Sequence, residues 1–599
     1  MSAVISAVAR RQAPGAEEYW SVGQLVSIHC KSVRVVGVLY QIDAVSRDWD
    51  LENDNTLHIH VELVGEVYDD DDGLPRFNAG LSAYPHLGAV CHRIRHDDLA
   101  SIFHNDEGKV VSVGALSQNR DIPALISLDN MIARHFAVVG TTGVGKSTAV
   151  SLLIRKILDA RHDLRVLILD PHNEFEHALP DKSVTIDEKT LDLPFWLFTI
   201  EELSAALFGG RTPIPEEIDI LRDAIIAAKT SFKFGEATTV ARNKKSSQIT
   251  SDTPIPYRFS DLLKVLDERI GLLDSKNDRL HIRSLMNRLQ SVANDPRYTF
   301  MFNAKTISDN IDAVLSNLFR IPANGRPVAI MQLAGIPSEV VSSTVSVLVR
   351  LAFDLAVWSQ SRIKTLVVCE EAHRYIPADP NAGFQPTRMA IARVAKEGRK
   401  YGVSLAVITQ RPSELDPTIL SQCNTFFAMR LGNEVDQEIV RKAIPGGARS
   451  FVNFVPSLAN RESIAFGQGA STPMRLIFDE VPRQYLPGNE NLHITIEERA
   501  DACFADLKDA VANMRGTSAK HTSTVMAETE EGNREALPVI DTQRPSIETP
   551  EHPAQRAMTQ PGFSHPSSLR RPATTLTGSQ PEPTSPRPLF SGFGNRTKT

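Results

Sequence analysis

Two stretches of this sequence carry residue types whose spacing suits chemistry on phosphates. The first is Gly140-Thr141-Thr142-Gly143-Val144-Gly145-Lys146-Ser147-Thr148, which fits the pattern GxxxxGK[ST]. Its glycines let backbone N–H groups curl around a phosphate. Lys146 can reach the β and γ oxygens of a nucleoside triphosphate, and Ser147 can give its hydroxyl to Mg²⁺. The motif follows the apolar run HFAVV and precedes STAVSLLIRKIL, whose spacing is helical. That strand, loop and helix context makes ATP with Mg²⁺ the expected ligand.

The second stretch is TLVVCEEAHRYIP, a strand that ends on two adjacent acids, Glu370 and Glu371. A phosphate-binding loop needs a further strand to bring acid to the metal and to the attacking water, and the usual ending is Asp-Glu. Position maps Glu370 to the metal side, beside Ser147, and Glu371 to catalysis. Glu in the first position adds one methylene to the reach. Gln410, ending VSLAVITQ, is placed as a polar sensor of the γ-phosphate or the water. Asp170, ending RVLILD, is a further candidate, and PHNEF after it brings His172 and Glu174 towards the same crevice at the carboxyl edge of a sheet.

The elements that must position these residues can be read from hydrophobic rhythm. Residues 20 to 115 alternate short runs with turn residues, as in QLVSIHC, RVVGVLYQI, TLHIHVELVGEVY, GAVCHRI and KVVSVG, which predicts a small antiparallel sheet or barrel. The acidic DDDDG at Asp69 to Gly73 reads as a solvated loop, since adjacent acids do not converge on one ion. From His135 the rhythm becomes apolar strand, turn and amphipathic helix, so the fold class is α/β with a parallel-sheet core. Between about 200 and 320 the strand signal fades into helical segments such as SDLLKVLDERIGLL and RSLMNRLQSVA, predicting an inserted helical subdomain. Strand signals return at RPVAIMQLAG, and the sheet resumes. The expected organisation is a flexible terminus over 1–14, a β-barrel over 15–120, an ATPase core over 121–510 and a disordered tail over 511–599. The tail is rich in Ser, Thr, Pro, Gln and Gly. Its few apolar residues, Phe563, Leu589, Phe590 and Phe593, are candidates for docking a partner.

Composition narrows the function classes. The formal charge of -7 argues against coating nucleic acid with the whole surface, while leaving room for a local basic channel. Five scattered cysteines, none in a CxxC pair, indicate neither a disulfide framework nor a zinc ribbon. The reading finds no apolar run of the ~18 residues that a membrane span needs and no secretory signal, so no membrane association and a cytoplasmic location are expected.

With all four strand ends in view, the chain resembles the HerA branch of the HerA and FtsK superfamily of ring-forming DNA translocases. The resemblance spans roughly residues 15 to 500 and rests on RHFAVVGTTGVGKST, LILDPHNEF, LPFWLF, VAIMQLAGIP, CEEAHRYIP, AKEGRKYGVSLAVITQRPSEL and ILSQCNTFFAMRL, in the family's order. It implies a RecA-like motor, an N-terminal domain like the family's HAS barrel, and a homohexamer. It also implies arginines that complete each ATP site. Arg134 matches a position acting on the nucleotide within the same subunit. Arg399 is the candidate to reach the neighbour's γ-phosphate, with Arg393, Lys396, Lys400 and Arg411 competing for that role.

The implied activity is ATP-dependent translocation along double-stranded DNA without base-specific readout. The basic loop RNKKSS, Arg242 to Ser247, is a candidate DNA contact. The implied partner is a separate effector, either a NurA-like nuclease in end processing or, in anti-phage defence, a nuclease or a sirtuin-like NADase. An alternative is an ATP-regulated ring scaffold that controls an effector with little translocation. A conjugation-type coupling ATPase would carry membrane segments, which the sequence reading does not find.

Overall fold

The computed structural model describes residues 2–9, 20, 22–45, 55–104, 108–209, 213–234, 249–272, 276–302, 309–444 and 449–488. The basic loop at Arg242 to Ser247 and the whole predicted tail with its apolar residues lie outside them.

The N-terminal sheet comprises β1 (Ser2–Ala9), β2 (Leu25–Cys30), β3 (Val33–Ala44), β4 (Asn55–Asp69), β5 (Pro75–Asn78) and β6 (Cys91–Arg93). Its order is β1-β4-β3-β2-β6, with β5 on β4, and its pairings are antiparallel. Among the described residues no pairing closes it into a barrel. Val35, Leu39, Ile59 and Val61 are buried in its own small core. Asp70 in the acidic loop accepts the N–H groups of Asp72 and Leu74, at 3.1 and 2.8 Å, so it shapes a turn as expected of a loop. Arg34 bridges Asp69 to Asp98 of α1 (His96–Phe103) at 2.6 and 2.9 Å.

Two sequence expectations need correction here. Ser2–Ala9, assigned to a flexible terminus, pairs along its length with Asn55 to Glu62 of β4. The run KVVSVG, counted in the barrel, forms β7 (Val110–Leu116), which with β8 (Pro123–Ser127) belongs to the motor sheet. Its partner is the late strand β17 (Met474–Phe478), a pairing that no local pattern reveals.

Among the described residues the motor sheet has eleven strands, including β11 (Ser183–Ile186) and β16 (Glu462–Gly467), in the order β11-β12-β10-β13-β14-β9-β15-β16-β17-β7-β8. From β11 to β15 the pairings are parallel, through β12 (Val328–Gln332), β10 (Leu164–Asp170), β13 (Lys364–Cys369), β14 (Val403–Thr409), β9 (Phe136–Val139) and β15 (Thr425–Ala428). These strands read as continuous apolar runs because both faces are covered. Period-two alternation sends Leu167, Leu169, Ala137, Val139, Val367 and Leu405 to one core. Val166, Ile168, Phe136, Val138, Leu366 and Ala406 go to the other, against α2 (Leu128–Ala133) and α3 (Lys146–Ala160).

The predicted helical insertion is present as α4 (Ile200–Phe208), α5 (Pro215–Phe234), α6 (Phe259–Leu272), α7 (Lys276–Ala293) and α8 (Ile311–Phe319). One buried acid, with a shared apolar core, ties it to the motor. Glu202 closes a capping box with Thr199 and accepts from Ser346 at 2.7 Å and Arg350 at 2.9 Å, both on α9 (Ser338–Trp358). That pair of hydrogen bonds to a charge compensates its desolvation. The segment Val340–Trp358 is also long and apolar enough to cross a membrane, with a mean hydropathy of 1.8 over its most apolar stretch, which the sequence reading passed over. In the fold it covers the parallel sheet, and Arg350 at its middle is consumed by Glu202. The remaining helix used below is α10 (Gln385–Tyr401).

The N-terminal sheet meets the motor at Glu62, whose carboxylate accepts the amides of Arg449 and Ser450 at 3.2 and 2.7 Å, opening the 3-10 stretch Arg449–Ser457. At the far side of the core, Gly467 holds φ +99°, and a β-carbon there would sit 1.9 Å from the Asn424 carbonyl oxygen. Gly467→Ala should therefore destabilise the motor by about 3 kcal/mol or more, read as a lower melting temperature, whereas Gly73→Ala on the open acidic loop should cost less than about 1.5 kcal/mol.

Candidate active site

The crevice forms where β10, β13, β14 and β9 end side by side. Register brings this about: Leu169 pairs with Cys369, Cys369 with Val407, and Thr409 with Val139, so Asp170 and Glu370 follow at one level and Gln410 and Gly140 two residues further along. Gly143 and Gly145 hold φ of +77° and +97°, the left-handed region that an L side chain resists. A β-carbon on Gly140 would approach Met429 Cβ to 2.8 Å, so glycine also allows the loop to pack on the end of β15. The backbone anchors the loop from both sides. Gly140 N–H donates to Thr409 O at 3.3 Å, Thr141 N–H and Oγ1 donate to Arg430 O at 2.9 and 3.2 Å, and Arg461 N–H donates to Val144 O at 3.1 Å.

Lys146 is buried and folds back to donate to Thr141 O at 2.9 Å. Burial lowers its pKa, while the nearby Glu371, Glu370 and Glu174 oppose that shift. Beyond it a side-chain chain crosses three elements. Thr142 Oγ1 donates to Gln410 Oε1, and Gln410 Nε2 donates to Glu371 Oε1. Glu371 itself holds φ +46°, a backbone state that non-glycine residues avoid and that sites retain when the fold over-determines it. His373 Nδ1 stands 3.3 Å from Glu371 Oε2 and 3.2 Å from Thr409 Oγ1.

On the other side of Lys146 lies a group of acids. Asp170 accepts from the amides of His172 at 3.2 Å and Phe175 at 3.0 Å, which shapes the turn that carries Glu174. Ser147 Oγ donates to Glu174 Oε2 at 2.6 Å. Glu370 is pushed up to about 10, first by burial, then by the charges of Asp170 and Glu174, a hydrogen bond with Asp170, and Glu371. It is therefore a neutral acid at pH 7. Its Oε2 is buried with no hydrogen-bond partner. The placement refines the sequence reading: the carboxylate touching the Ser147 hydroxyl belongs to Glu174, and Glu370 lies behind it against Asp170. A serine hydroxyl, a carboxylate at 2.6 Å and an orphaned buried carboxyl oxygen suit a Mg²⁺ that takes its other ligands from phosphate and water.

The two arginines lie elsewhere. Arg134 directly precedes His135 and β9, at the amino end of the strand whose carboxyl end carries the loop, a separation of about 15 Å along the extended chain. The expected contact with the nucleotide would have to span the length of β9. Arg399 is exposed near the carboxyl end of α10, just before β14, about 23 Å of extended chain from Gln410. Of its competitors, Arg393 faces Asp354 at 3.7 Å and lies over the Phe353 ring, and Arg411 pairs with Glu414 at 2.7 Å. Among the described residues Arg399 has no ion pair.

Sequence reasoning brought Glu174 to the crevice without its partner and missed Thr142 as a donor, the Arg430 carbonyl and His373. The His spacing in CEEAH could have signalled the last.

Fold and site together define a RecA-like P-loop nucleoside triphosphatase. Residues 111–352 match the family model described as the central domain of the helicase HerA. The chain is 25% identical over 406 residues to the DNA double-strand break repair helicase HerA of Pyrococcus furiosus, covering 63% of this chain and 70% of the relative. It is 26% identical over 397 residues to the helicase of the same name from Saccharolobus solfataricus, covering 65% and 72%. The structure of VirB4 of Thermoanaerobacter pseudethanolicus is similar at a TM-score of 0.45 and 16% identity, covering 63% of this chain and 98% of that one. Over its central region the chain is similar to the HerA helicases, P-loop ATPases of the HerA and FtsK superfamily.

A carboxyl whose folded pKa lies above its unfolded value stabilises most below the unfolded value and loses that contribution as pH rises. Glu370 therefore weakens the nucleotide-free fold progressively from about pH 4.5 towards about 10. Glu370→Gln, which copies the neutral acid, should melt higher than the parent at pH 8 to 9, with the difference closing towards pH 5.

Proposed function

We propose that this chain is the subunit of a cytoplasmic homohexameric motor that hydrolyses ATP to move along double-stranded DNA. The observation that carries the reading is the chain of contacts from Thr142 through Gln410 to Glu371, which links the phosphate loop to an acid across adjacent strand ends. That arrangement lets a γ-phosphate and the acid that acts on its attacking water report on each other.

In this reading Gly140 to Thr148 bind the triphosphate, with Lys146 released from Thr141 O to the β and γ oxygens. Mg²⁺ supplies charge neutralisation on those oxygens, and Ser147 with Glu174 and Glu370 would hold it. Asp170 sets the turn that aims Glu174. Glu371 takes the proton of the attacking water, and Gln410 orients that water against the phosphate. Arg399, exposed and without an ion pair among the described residues, serves the next subunit's site, where its charge compensates that of the transition state. Arg134 lies towards the same amino edge and acts at that interface.

The relatives' names, double-strand break repair helicases, support a role in DNA end processing. A NurA-like nuclease or, in anti-phage defence, a sirtuin-like NADase is the effector we propose, docked on the N-terminal sheet. The scaffold alternative draws support from Glu370, since a longer acid in place of the usual aspartate favours a slow or specialised ATPase.

ATPase rates with and without duplex DNA separate the two readings: stimulation of about tenfold or more supports the motor, and an unchanged rate supports the scaffold. Lys146→Ala should abolish nucleotide binding. Glu371→Gln should keep binding within a few fold and lower kcat by about 10² or more. A larger loss in Glu370→Gln at saturating Mg²⁺ would reverse the two roles. Mixing inactive Arg399→Ala with inactive Lys146→Ala should restore turnover in mixed rings, and no recovery would count against action across the interface.

A further inference from the structure

His135 is buried, with 2% of its surface exposed, and lies outside the phosphate site. Its backbone holds φ +58°, an unfavourable state for a residue with a β-carbon, immediately before the strand that delivers the phosphate loop. Its ring joins two further elements. The Leu405 amide donates to Nδ1 at 3.0 Å, and Nε2 lies 3.0 Å from the Ala395 carbonyl oxygen. An amide can only donate, so Nδ1 must accept and Nε2 must carry the proton, which fixes the neutral tautomer.

Both partners sit at informative places. Ala395 precedes Arg399 by one helical turn in α10, so its carbonyl is also the acceptor of the Arg399 amide in the helical pattern. Leu405 lies in β14, the strand that ends at Thr409 and Gln410. The His135 carbonyl meanwhile lies 3.2 Å from the Asn424 amide, ahead of β15, whose far end is followed by Arg430, the anchor of Thr141. One imidazole thus ties the amino end of the loop-bearing strand to the sensor-bearing strand and to the helix that presents Arg399.

We propose that His135 is a positioning residue that couples the two halves of the composite ATP site: it keeps α10 in register with β9 and β14, so that each subunit's phosphate state governs the arginine it offers its neighbour. The proposal rests on the reading that Arg399 acts across the interface. Leucine at this position fills the space without either hydrogen bond, whereas glutamine supplies one donor and one acceptor.

The experiment uses the full chain with His135→Leu, His135→Gln, Arg399→Ala and the double variant His135→Leu/Arg399→Ala. Each is assayed for ADP affinity, steady-state kcat, melting temperature and rescue of Lys146→Ala in mixed rings. His135→Leu should bind ADP within about threefold of the parent, lose about tenfold in kcat and match Arg399→Ala when mixed with Lys146→Ala. His135→Gln should recover most of that loss. The double variant should be no slower than the slower single variant, since residues acting through one another are not additive. Multiplying losses in the double variant, or a His135→Leu loss confined to ADP affinity and melting temperature, would overturn the coupling. Where His135→Leu fails to fold, a His135→Gln ring that folds and shows full ADP affinity yet remains about tenfold slow would also overturn it. If Arg399→Ala alone keeps parental kcat, the reading of a trans-acting arginine has failed, and that outcome is separate from the behaviour of the double variant.

Discussion

The register of parallel pairing among β10, β13, β14 and β9 is the constraint on which the site depends. Side chains alternate with a period of two, so a slip of one residue would shift the strand ends against one another and send every side chain of the slipped strand to the opposite face. Burial on both faces makes such a slip very costly, because Leu167, Val367 and Leu405 would exchange cores with Val166, Leu366 and Ala406. The same hydrophobic burial that stabilises the sheet therefore fixes the heights at which Asp170, Glu370 and Gln410 emerge. Backbone anchors at Thr409, Arg430 and Arg461 then hold the phosphate loop while leaving Lys146 free to exchange its Thr141 carbonyl for phosphate.

Much of this was legible in the sequence. Gly140 to Thr148, Glu370, Glu371, Gln410 and Asp170 could be placed at strand ends because each follows an uninterrupted apolar run, and the helical insertion announced itself by a change of period. What escaped were facts that depend on distant partners. β7 looked like a barrel strand until β17, more than 350 residues later in the chain, took its edge. Ser2–Ala9 was read as a loose end because only β4 gives it a ladder. The state of Glu370 depends on Asp170 and Glu174, two acids that spacing places near it without saying how close. Arg134 is near the loop in sequence and far from it in space, since a strand separates its two ends.

The N-terminal sheet is more than an appendage hung on the motor. Glu62 provides acceptors for two amides that open the Arg449–Ser457 stretch, and Leu458 at its end accepts from the Arg430 guanidinium at 3.4 Å. Arg430 in turn anchors Thr141 through its carbonyl. A load applied to the N-terminal sheet has a short polar route to the phosphate loop.

The separation of the phosphate loop from Arg399 by the length of a strand has a consequence for symmetry. In the proposed composite site, built from the carboxyl edge of one sheet and the amino edge of another, the same patch meeting itself cannot complete the site. It requires a head-to-tail interface, in which every subunit gives with one edge and receives with the other. Such an interface either closes into a ring or grows into a helix, and the rotation per subunit alone decides which. For the proposed ring the sequence would have to encode an angle as well as an affinity, and small changes at that edge would turn a closed ring into an open polymer.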